Sequence, residues 1–298
     1  MDNNLKILKK IIQVIKKNGI KKYIDNFDFK FDFNEEDTDD TFYKKLEQFV
    51  KRYHHHTSLI KTRTINNLTD DNKLIIRWKN SKTWRKLPDF ELKNNIGIIK
   101  FYSFIRINGE ESDLINDKDR DKIVEAVTNI LDDWLNNKKI KGLIIDFSKH
   151  YGGDFTPIAF CFGKYFDTLF SFYENNTSPI WATIVKDKLV YIKYKSNKNY
   201  FPIPIAVIIG KNTSSSGEFS AGIFYNKPNI KFFGEETGGA LSANSGIKIN
   251  KYLELNLTVA LFQSADKKIH YDEKLYPDVK TKNPIKDAIK WINNKDIK

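Results

Sequence analysis

The chain has 298 residues, enough for one large domain or two ordinary ones, and 40% of them are hydrophobic. This composition excludes an intrinsically disordered chain, and the single cysteine, Cys161, excludes an internal disulfide. The net charge is +12, but lysine is spread over every segment. We interpret that charge as compositional bias, because a nucleic-acid binder usually concentrates arginine and lysine in one stripe, and we expect no specific nucleic-acid partner.

The N-terminal segment predicts two helices. Apolar residues at helical spacing, with lysines between them, predict an amphipathic helix over residues 4–24. A second helix is predicted over residues 39–53, after an acidic and aromatic loop over 27–37. We interpret residues 1–57 as a small N-terminal helical cap. The first residues lack the unbroken apolar stretch of a signal peptide, and no apolar run reaches the ~20 residues of a membrane span, so we expect a soluble, intracellular protein.

The remainder of the chain predicts a short β-rich connecting segment and a larger core. Residues 58–95 carry β-like pieces such as 73–78, and residues 96–298 alternate strands with helices. This alternation predicts an α/β core with a mainly parallel sheet. The predicted strands are 96–104, 142–147, 180–186, 188–194 (paired with its predecessor in a hairpin), 203–209, 230–233, 246–249 and 253–262, and the predicted helices are 117–137, 156–171 and 285–292.

A small-residue turn, Thr213–Glu218, lies between the buried strand 203–209 and an apolar segment suited to a helix. Such a turn places a hydroxyl at the positive end of the helix dipole, where nucleophilic serines of hydrolases lie close to backbone N–H donors. The same residues also suit a plain helix N-cap, with Glu218 completing a capping box. A glycine turn, Gly152-Gly153, follows strand 142–147 and could bring further N–H groups close to a reacting carbonyl.

Five motifs occur in the order and spacing of a known family. They are Ile96–Phe104, Gly142–Gly153, Pro204–Glu218, Phe233–Gly239 and Tyr276–Val279. Together they resemble the tail-specific (carboxyl-terminal processing) serine peptidases and their relatives, the interphotoreceptor retinoid-binding protein modules and the tricorn core. The resemblance spans roughly residues 42–294. It implies a crotonase-like β-α superhelical core and a serine peptidase that cleaves peptide or protein substrates without a metal or organic cofactor.

The resemblance also implies roles for individual residues. The family's nucleophile lies three residues before the glutamate of the serine turn, which is Ser215, with Ser214 and Ser216 as alternatives. The N–H of Ser216 would be one oxyanion donor, and the turn at Gly152 and Gly153 would supply the other. Glu218 would orient the base or cap its helix.

The family pattern is broken at the proton acceptor. The lysine of the family's Ser–Lys dyad would lie 25 residues after the serine, at Ala240, and a methyl group cannot accept a proton. His56 and His150 are the candidate bases, because histidine titrates near neutral pH. Lys100 is a weaker candidate, and His270 is the weakest.

Two functions follow from these observations. The first is a peptidase that acts through an acyl-enzyme on Ser215. The alternative is an inactive relative that binds a peptide or apolar ligand, which the loss of the dyad lysine favours. The interval 58–95 is too short for the PDZ domain that many family members carry, so capture of substrate tails by such a module is not expected.

Overall fold

The computed structural model describes residues 2–34, 36–61, 87–104, 117–166, 169–173, 180–185, 188–192, 201–264 and 266–295. In chain order, the helices are α1 (Asp2–Asn18), α2 (Lys21–Ile24), α3 (Asp39–Tyr53), α4 (Asp117–Asn136), α5 (Thr156–Phe162), α6 (Ser216–Gly222) and α7 (Pro284–Asn293). The strands are β1 (Ser58–Lys61), β2 (Asp89–Lys93), β3 (Ile96–Phe104), β4 (Gly142–Gly153), β5 (Ser171–Tyr173), β6 (Ile180–Val185), β7 (Lys188–Ile192), β8 (Ile205–Ile209), β9 (Ile230–Gly234), β10 (Ser242–Lys248), β11 (Leu253–Gln263) and β12 (Val279–Lys280). The predicted mixed α/β class is therefore confirmed, whereas the crotonase-like superhelix and the predicted domain boundaries stay predictions.

The chain packs as two compact units. Unit 1 comprises Met1–Thr69, Tyr173–Ser178 and Ser242–Leu261, and unit 2 comprises Asp70–Phe172, Pro179–Leu241 and Phe262–Lys298. In unit 1, β11 pairs antiparallel with β1 and with β10, and the apolar sides of α1 and α3 share one buried cluster with these strands. Among the helices of the described ranges, none combines the length and the apolar character that crossing a bilayer requires.

The first predicted helix is divided in two. Residues 4–24 were expected to form one helix, but α1 ends at Asn18 and Ile20 is extended, with φ −71° and ψ 122°. The N–H of Ile20 donates to the Tyr53 hydroxyl at 2.6 Å, so a tertiary contact replaces the next helical hydrogen bond. A Cβ at Gly19 would lie 2.6 Å from that same hydroxyl oxygen, so the break also needs a residue without a side chain.

Unit 2 is built on a six-stranded sheet in the order β12-β9-β8-β4-β3-β2. All neighbouring strands are parallel except the edge strand β2, which is antiparallel to β3. Apolar residues of α4 and α5 cover one face of the sheet, and α7 covers the other, which explains why the central strands are buried on both sides. Cys161 is fully buried in the first of these clusters.

Two boundaries in unit 2 differ from the prediction. Strand 142–147 was expected to end before a glycine turn, but β4 continues through Gly153, which pairs with Phe104 of β3 across an irregular register. Helix 156–171 was expected to be continuous, but α5 ends at Phe162 and a 3-10 turn follows over Gly163–Tyr165. The predicted hairpin is confirmed, since β6 and β7 pair antiparallel. The β-like piece 73–78 lies outside the described residues.

Candidate active site

The serine turn lies at the carboxyl end of β8, beside the carboxyl end of its parallel neighbour β4. This edge of a parallel sheet is where α/β proteins usually bind their ligands. Thr213 anchors the turn, because its hydroxyl donates to the Phe147 carbonyl of β4 at 3.0 Å and accepts from the Gly210 N–H at 3.1 Å. The N–H of Ser214 donates to the carbonyl of His150 at 3.2 Å, so a second bond ties the turn to β4.

Ser215 has a strained backbone conformation. Its φ is +53° and its ψ is −124°, a combination that non-glycine residues rarely adopt, whereas Ser214 and Ser216 have no positive φ. The sharp bend lies directly before α6, so the Ser215 hydroxyl is placed at the start of a helix. Strain of this kind persists only where the surrounding structure enforces it, and it concentrates at functional sites.

The side chains of the neighbouring serines lie against different glycines. A Cβ built on Gly152 would lie 3.8 Å from the Ser215 Oγ, whereas a Cβ built on Gly238 would lie 3.1 Å from the Ser214 Oγ. The end of β4 and the Ser215 hydroxyl are therefore close neighbours, as the motifs predicted. Gly152 has φ +131° and Gly153 has φ +105°, conformations that glycine adopts without strain. The adjoining Tyr151 N–H donates to the Ser103 hydroxyl at 2.9 Å, which fixes this end of β4 against β3.

The Glu218 carboxylate joins the serine turn to the segment that follows β9. It accepts from the Ser215 N–H at 2.9 Å, the Gly239 N–H at 3.1 Å, the Ala240 N–H at 2.7 Å and the Thr237 hydroxyl. Burial raises the pKa of Glu218 to about 7, and these four donors oppose the rise because they favour the ionised carboxylate. Glu218 therefore acts on Ser215 through the backbone.

This arrangement explains what occupies the position of the dyad lysine. Ala240 contributes its backbone N–H to Glu218, so the segment holds the serine turn in place and offers no basic side chain there. Thr237 was not among the residues singled out from the sequence. Its hydroxyl donates to Glu218 and accepts from the Leu275 N–H at 2.9 Å. The position of Thr237 in the Phe233–Gly239 motif is the sequence signal that could have identified it.

His150 lies directly beneath the serine turn and is fully buried. Its ring packs edge-on against Phe104, with centroids 5.2 Å apart, and within the described residues neither ring nitrogen has a hydrogen-bond partner. Burial lowers the pKa of His150 to about 3, so the imidazole is neutral at neutral pH. A Cβ on Gly217 would lie 2.1 Å from the His150 carbonyl oxygen, so only glycine allows α6 to approach β4 this closely.

The neutrality of His150 predicts acid sensitivity of folding. The unfolded chain binds a proton at this residue near pH 6.5, whereas the folded protein binds one only near pH 3. The contribution of the neutral His150 imidazole to the free energy of unfolding is therefore fully present above pH 6.5. It falls by about 1.4 kcal/mol per pH unit as the pH decreases towards 3. In urea unfolding between pH 7 and pH 5, we expect His150→Asn to remove this slope. An unchanged slope in the variant would contradict the assignment.

Lys100 and His270, the other two candidate bases of unit 2, have contacts that fit a structural role. Lys100 pairs in register with Asp89 and Asp146, and strand alternation places it on the face of Ile96 and Ile98, which α7 covers. A cavity of about 520 Å³ opens on that face, and its lining contains no residue of the serine turn. His270 has both nitrogens engaged, Nδ1 with the Lys274 carbonyl at 2.9 Å and Nε2 with the Ser264 hydroxyl at 3.1 Å.

His56 lies in unit 1, just before β1. Its Nδ1 is 2.9 Å from the Ser242 hydroxyl, and its carbonyl accepts from the Asn244 side chain at 2.9 Å. The Asn244 amide oxygen in turn accepts from the Thr258 hydroxyl at 2.8 Å. The ring is therefore held in a fixed orientation while it remains only partly buried, unlike His150. Its role as a base stays a prediction.

The contact between Gly152 and Ser215 predicts a large effect of one methyl group. Alanine at position 152 would be strained at φ +131°, and its Cβ would lie 3.3 Å from the Ser215 Cβ. We expect Gly152→Ala to slow reaction of Ser215 with a fluorophosphonate probe by about 10²–10³-fold, the usual effect of losing one oxyanion donor. Gly210→Ala is the matched control, because no heavy atom lies within 4 Å of its added Cβ. Equal rates for the two variants would refute a role for Gly152.

Comparison with known proteins identifies relatives in sequence and in fold. A nisin-resistance protein of Lactococcus lactis subsp. lactis is 27% identical over 222 residues, which cover 72% of this chain and 66% of that relative. A lipoprotein from Streptococcus agalactiae has a similar fold, with a TM-score of 0.71 at 18% identity over 98% of this chain and 97% of that one. A protein from Parabacteroides merdae ATCC 43184 gives a TM-score of 0.62 at 13% identity, with 98% of each chain covered.

The sequence model of peptidase family S41 matches residues 95–281. These residues include β3, β4, the serine turn and the segment that binds Glu218, which are the elements that form the site. The match extends over more than half of the chain. The chain therefore belongs to peptidase family S41, the family of the tail-specific proteases that its motifs resemble.

Proposed function

We propose that the protein is a serine peptidase that cleaves peptide or protein substrates through an acyl-enzyme on Ser215. The observation that carries the proposal is the strained Ser215, φ +53°, at the start of α6 with its hydroxyl beside Gly152. An ordinary N-cap residue has extended φ and ψ and needs no such strain. Membership of family S41 supports the same reaction class.

In the proposed reaction, the Ser215 Oγ attacks the carbonyl carbon of the scissile peptide and loses its proton to a histidine. The tetrahedral oxyanion accepts hydrogen bonds from the Ser216 N–H and from Gly152 or Gly153. Ser216 is the first residue of α6, and the first four N–H groups of a helix have no acceptor within it. The histidine then protonates the leaving amine, and water hydrolyses the acyl-enzyme with the same residue as base.

We propose His56 as the base in preference to His150. A general base works best with a pKa near the operating pH, and burial holds the pKa of His150 at about 3. The partly buried His56 ring has a hydroxyl partner, Ser242, that orients it. We expect His56→Gln to lower the rate of fluorophosphonate labelling by at least about 10²-fold, and His150→Asn to stay within tenfold of the native rate. The opposite pattern would assign the base to His150.

The substrate is tested with peptides of known sequence. Because a curated relative is a nisin-resistance protein, nisin is the first peptide to incubate with the protein, beside an unstructured polypeptide of similar length. We expect mass spectrometry to detect cleavage products with the native protein and none with Ser215→Ala. Folded protein that neither cleaves these peptides nor reacts with a fluorophosphonate would instead support the ligand-binding alternative.

A further inference from the structure

One side of α1 carries five exposed lysines and α2 adds two more, and this group is here termed the lysine face. Its members are Lys6, Lys9, Lys10, Lys16, Lys17, Lys21 and Lys22, and all of them are exposed. At 100° per residue, the five members in α1 fall within about one third of the helix circumference. The 17 residues of α1 give this face a length of about 25 Å.

Acidic residues are missing from this part of the chain. From residue 3 to residue 24 there is no aspartate or glutamate, although 38 such residues among 298 would place about three in a stretch of this length. The other long helices mix both signs: α3 contains Asp39, Asp40 and Glu47 beside its basic residues. Residues 48–69 and 188–217 also lack acidic residues, but they carry only four and five lysines and arginines, whereas residues 3–24 carry seven lysines.

The apolar side of α1 is already occupied. Ile7, Leu8, Ile11 and Ile15 are buried in the core of unit 1 together with α3 and β11. An amphipathic helix that inserts into a bilayer needs its apolar side free. Any partner of α1 must therefore meet the charged side from outside and bind it by electrostatic attraction.

Two members of the lysine face, Lys10 and Lys16, make contacts with other residues of unit 1. The Lys10 ammonium donates to the Ile249 carbonyl, and the Lys16 ammonium lies 4.8 Å from the centre of the Phe29 ring. The lysine face carries a concentrated positive charge, because it brings seven lysines together in a stretch that contains no aspartate or glutamate.

We propose that the lysine face binds the anionic headgroups of a lipid bilayer surface. A bilayer offers many phosphates in a plane, which suits a row of ammonium groups along a straight helix. A nucleic-acid partner fits less well, because neither α1 nor α2 contains an arginine for bidentate phosphate contacts. The binding is peripheral, depends on salt and does not require any helix to cross the membrane.

The test is co-sedimentation of the full chain with vesicles. Vesicles of phosphatidylcholine with about one third phosphatidylglycerol are compared with pure phosphatidylcholine at low salt and at 0.5 M salt, a concentration at which the screening length is only about 4 Å. We expect binding to the anionic vesicles alone and its loss at high salt. The triple variant Lys6→Glu, Lys9→Glu, Lys17→Glu should weaken this binding by at least about 100-fold.

The matched control changes the same number of charges elsewhere. Lys282, Lys286 and Lys290 are exposed around α7, and their triple replacement by glutamate gives the same net charge as the α1 variant. Retained binding in the α7 variant supports the proposal, and equal loss in both variants would overturn it in favour of a net-charge effect. Lys→Gln versions at the α1 positions, checked by thermal unfolding, should also bind weakly while remaining folded.

Two further outcomes would overturn the proposal. One is the absence of binding to anionic vesicles at low salt. The other is binding to duplex or single-stranded DNA that depends on the same lysines while vesicles are not bound, because this would make the face a nucleic-acid surface. None of these results depends on hydrolysis, so the proposal can fail or succeed independently of the proposed peptidase function.

Discussion

Replacement of Ser215 by alanine is expected to reduce peptide hydrolysis by about 10⁴–10⁶-fold, the range found when a serine nucleophile is removed. The variant keeps the backbone hydrogen bonds of the turn, including the bond from the residue 215 N–H to Glu218. It removes only the oxygen that would form the acyl-enzyme. The measurement is kcat/KM on a cleaved peptide, with the free energy of unfolding determined in parallel.

Ser214→Ala and Ser216→Ala are the matched controls for this prediction. Ser214 lies against Gly238, and the Ser216 carbonyl accepts from the Ser220 hydroxyl at 2.8 Å. Neither residue has the positive φ that strains Ser215. We expect both variants to retain kcat/KM within about tenfold of the native protein, because neither loses the oxygen that attacks. Full activity in Ser215→Ala, with loss in either control, would move the nucleophile to the neighbouring serine.

Replacement of Glu218 by glutamine is expected to destabilise the protein and to slow the reaction of Ser215. An amide has one acceptor oxygen, whereas the carboxylate uses both of its oxygens to accept from four donors. At least two buried donors therefore lose their acceptor, at a cost of about 2–4 kcal/mol in the free energy of unfolding. Because the Ser215 N–H is among the four, we also expect the labelling rate to fall by at least about tenfold.

Glu236→Gln is the control for Glu218→Gln, since it makes the same chemical change in the neighbouring segment. Glu236 is partly exposed and lies 3.5 Å from the Lys274 ammonium, a surface ion pair that contributes at most about 1 kcal/mol. We expect it to leave the labelling rate unchanged. If Glu218→Gln proved as stable and as reactive as Glu236→Gln, the view that Glu218 positions the serine turn would have to be abandoned.

The sequence predicted the central strands and the motifs at their ends, because both leave a recognisable pattern of residue types. Continuous apolar runs identified the central strands β3, β4 and β8, because a parallel sheet buried on both faces needs them. The carboxyl ends of neighbouring parallel strands meet at one edge, so the motifs that follow β8 and end β4 could be expected to approach each other. The contact between Gly152 and Ser215 is that approach.

Other features depended on tertiary contacts that no local pattern reports. The division between α1 and α2 depends on the hydroxyl of Tyr53, which lies in α3, 33 residues after Ile20. The Glu218 carboxylate accepts hydrogen bonds from residues 237–240. These donors lie 19 to 22 residues further along the chain, so no local pattern predicts the contact. The strained φ of Ser215 and the complete burial of His150 likewise follow from packing of α6 on β4. Serine is common in unstrained turns, so its presence alone does not predict strain.

The most direct test of the account is to locate the bond that a fluorophosphonate makes with the native protein. We expect one adduct per chain, attached to the Ser215 oxygen, when the labelled protein is digested and its peptides are sequenced by mass spectrometry. In a crystal structure of that adduct, we expect a phosphonyl oxygen within about 3 Å of backbone nitrogens of Ser216 and of Gly152 or Gly153. An adduct on any other residue, or no adduct on folded protein, would contradict the assignment of Ser215 as the nucleophile.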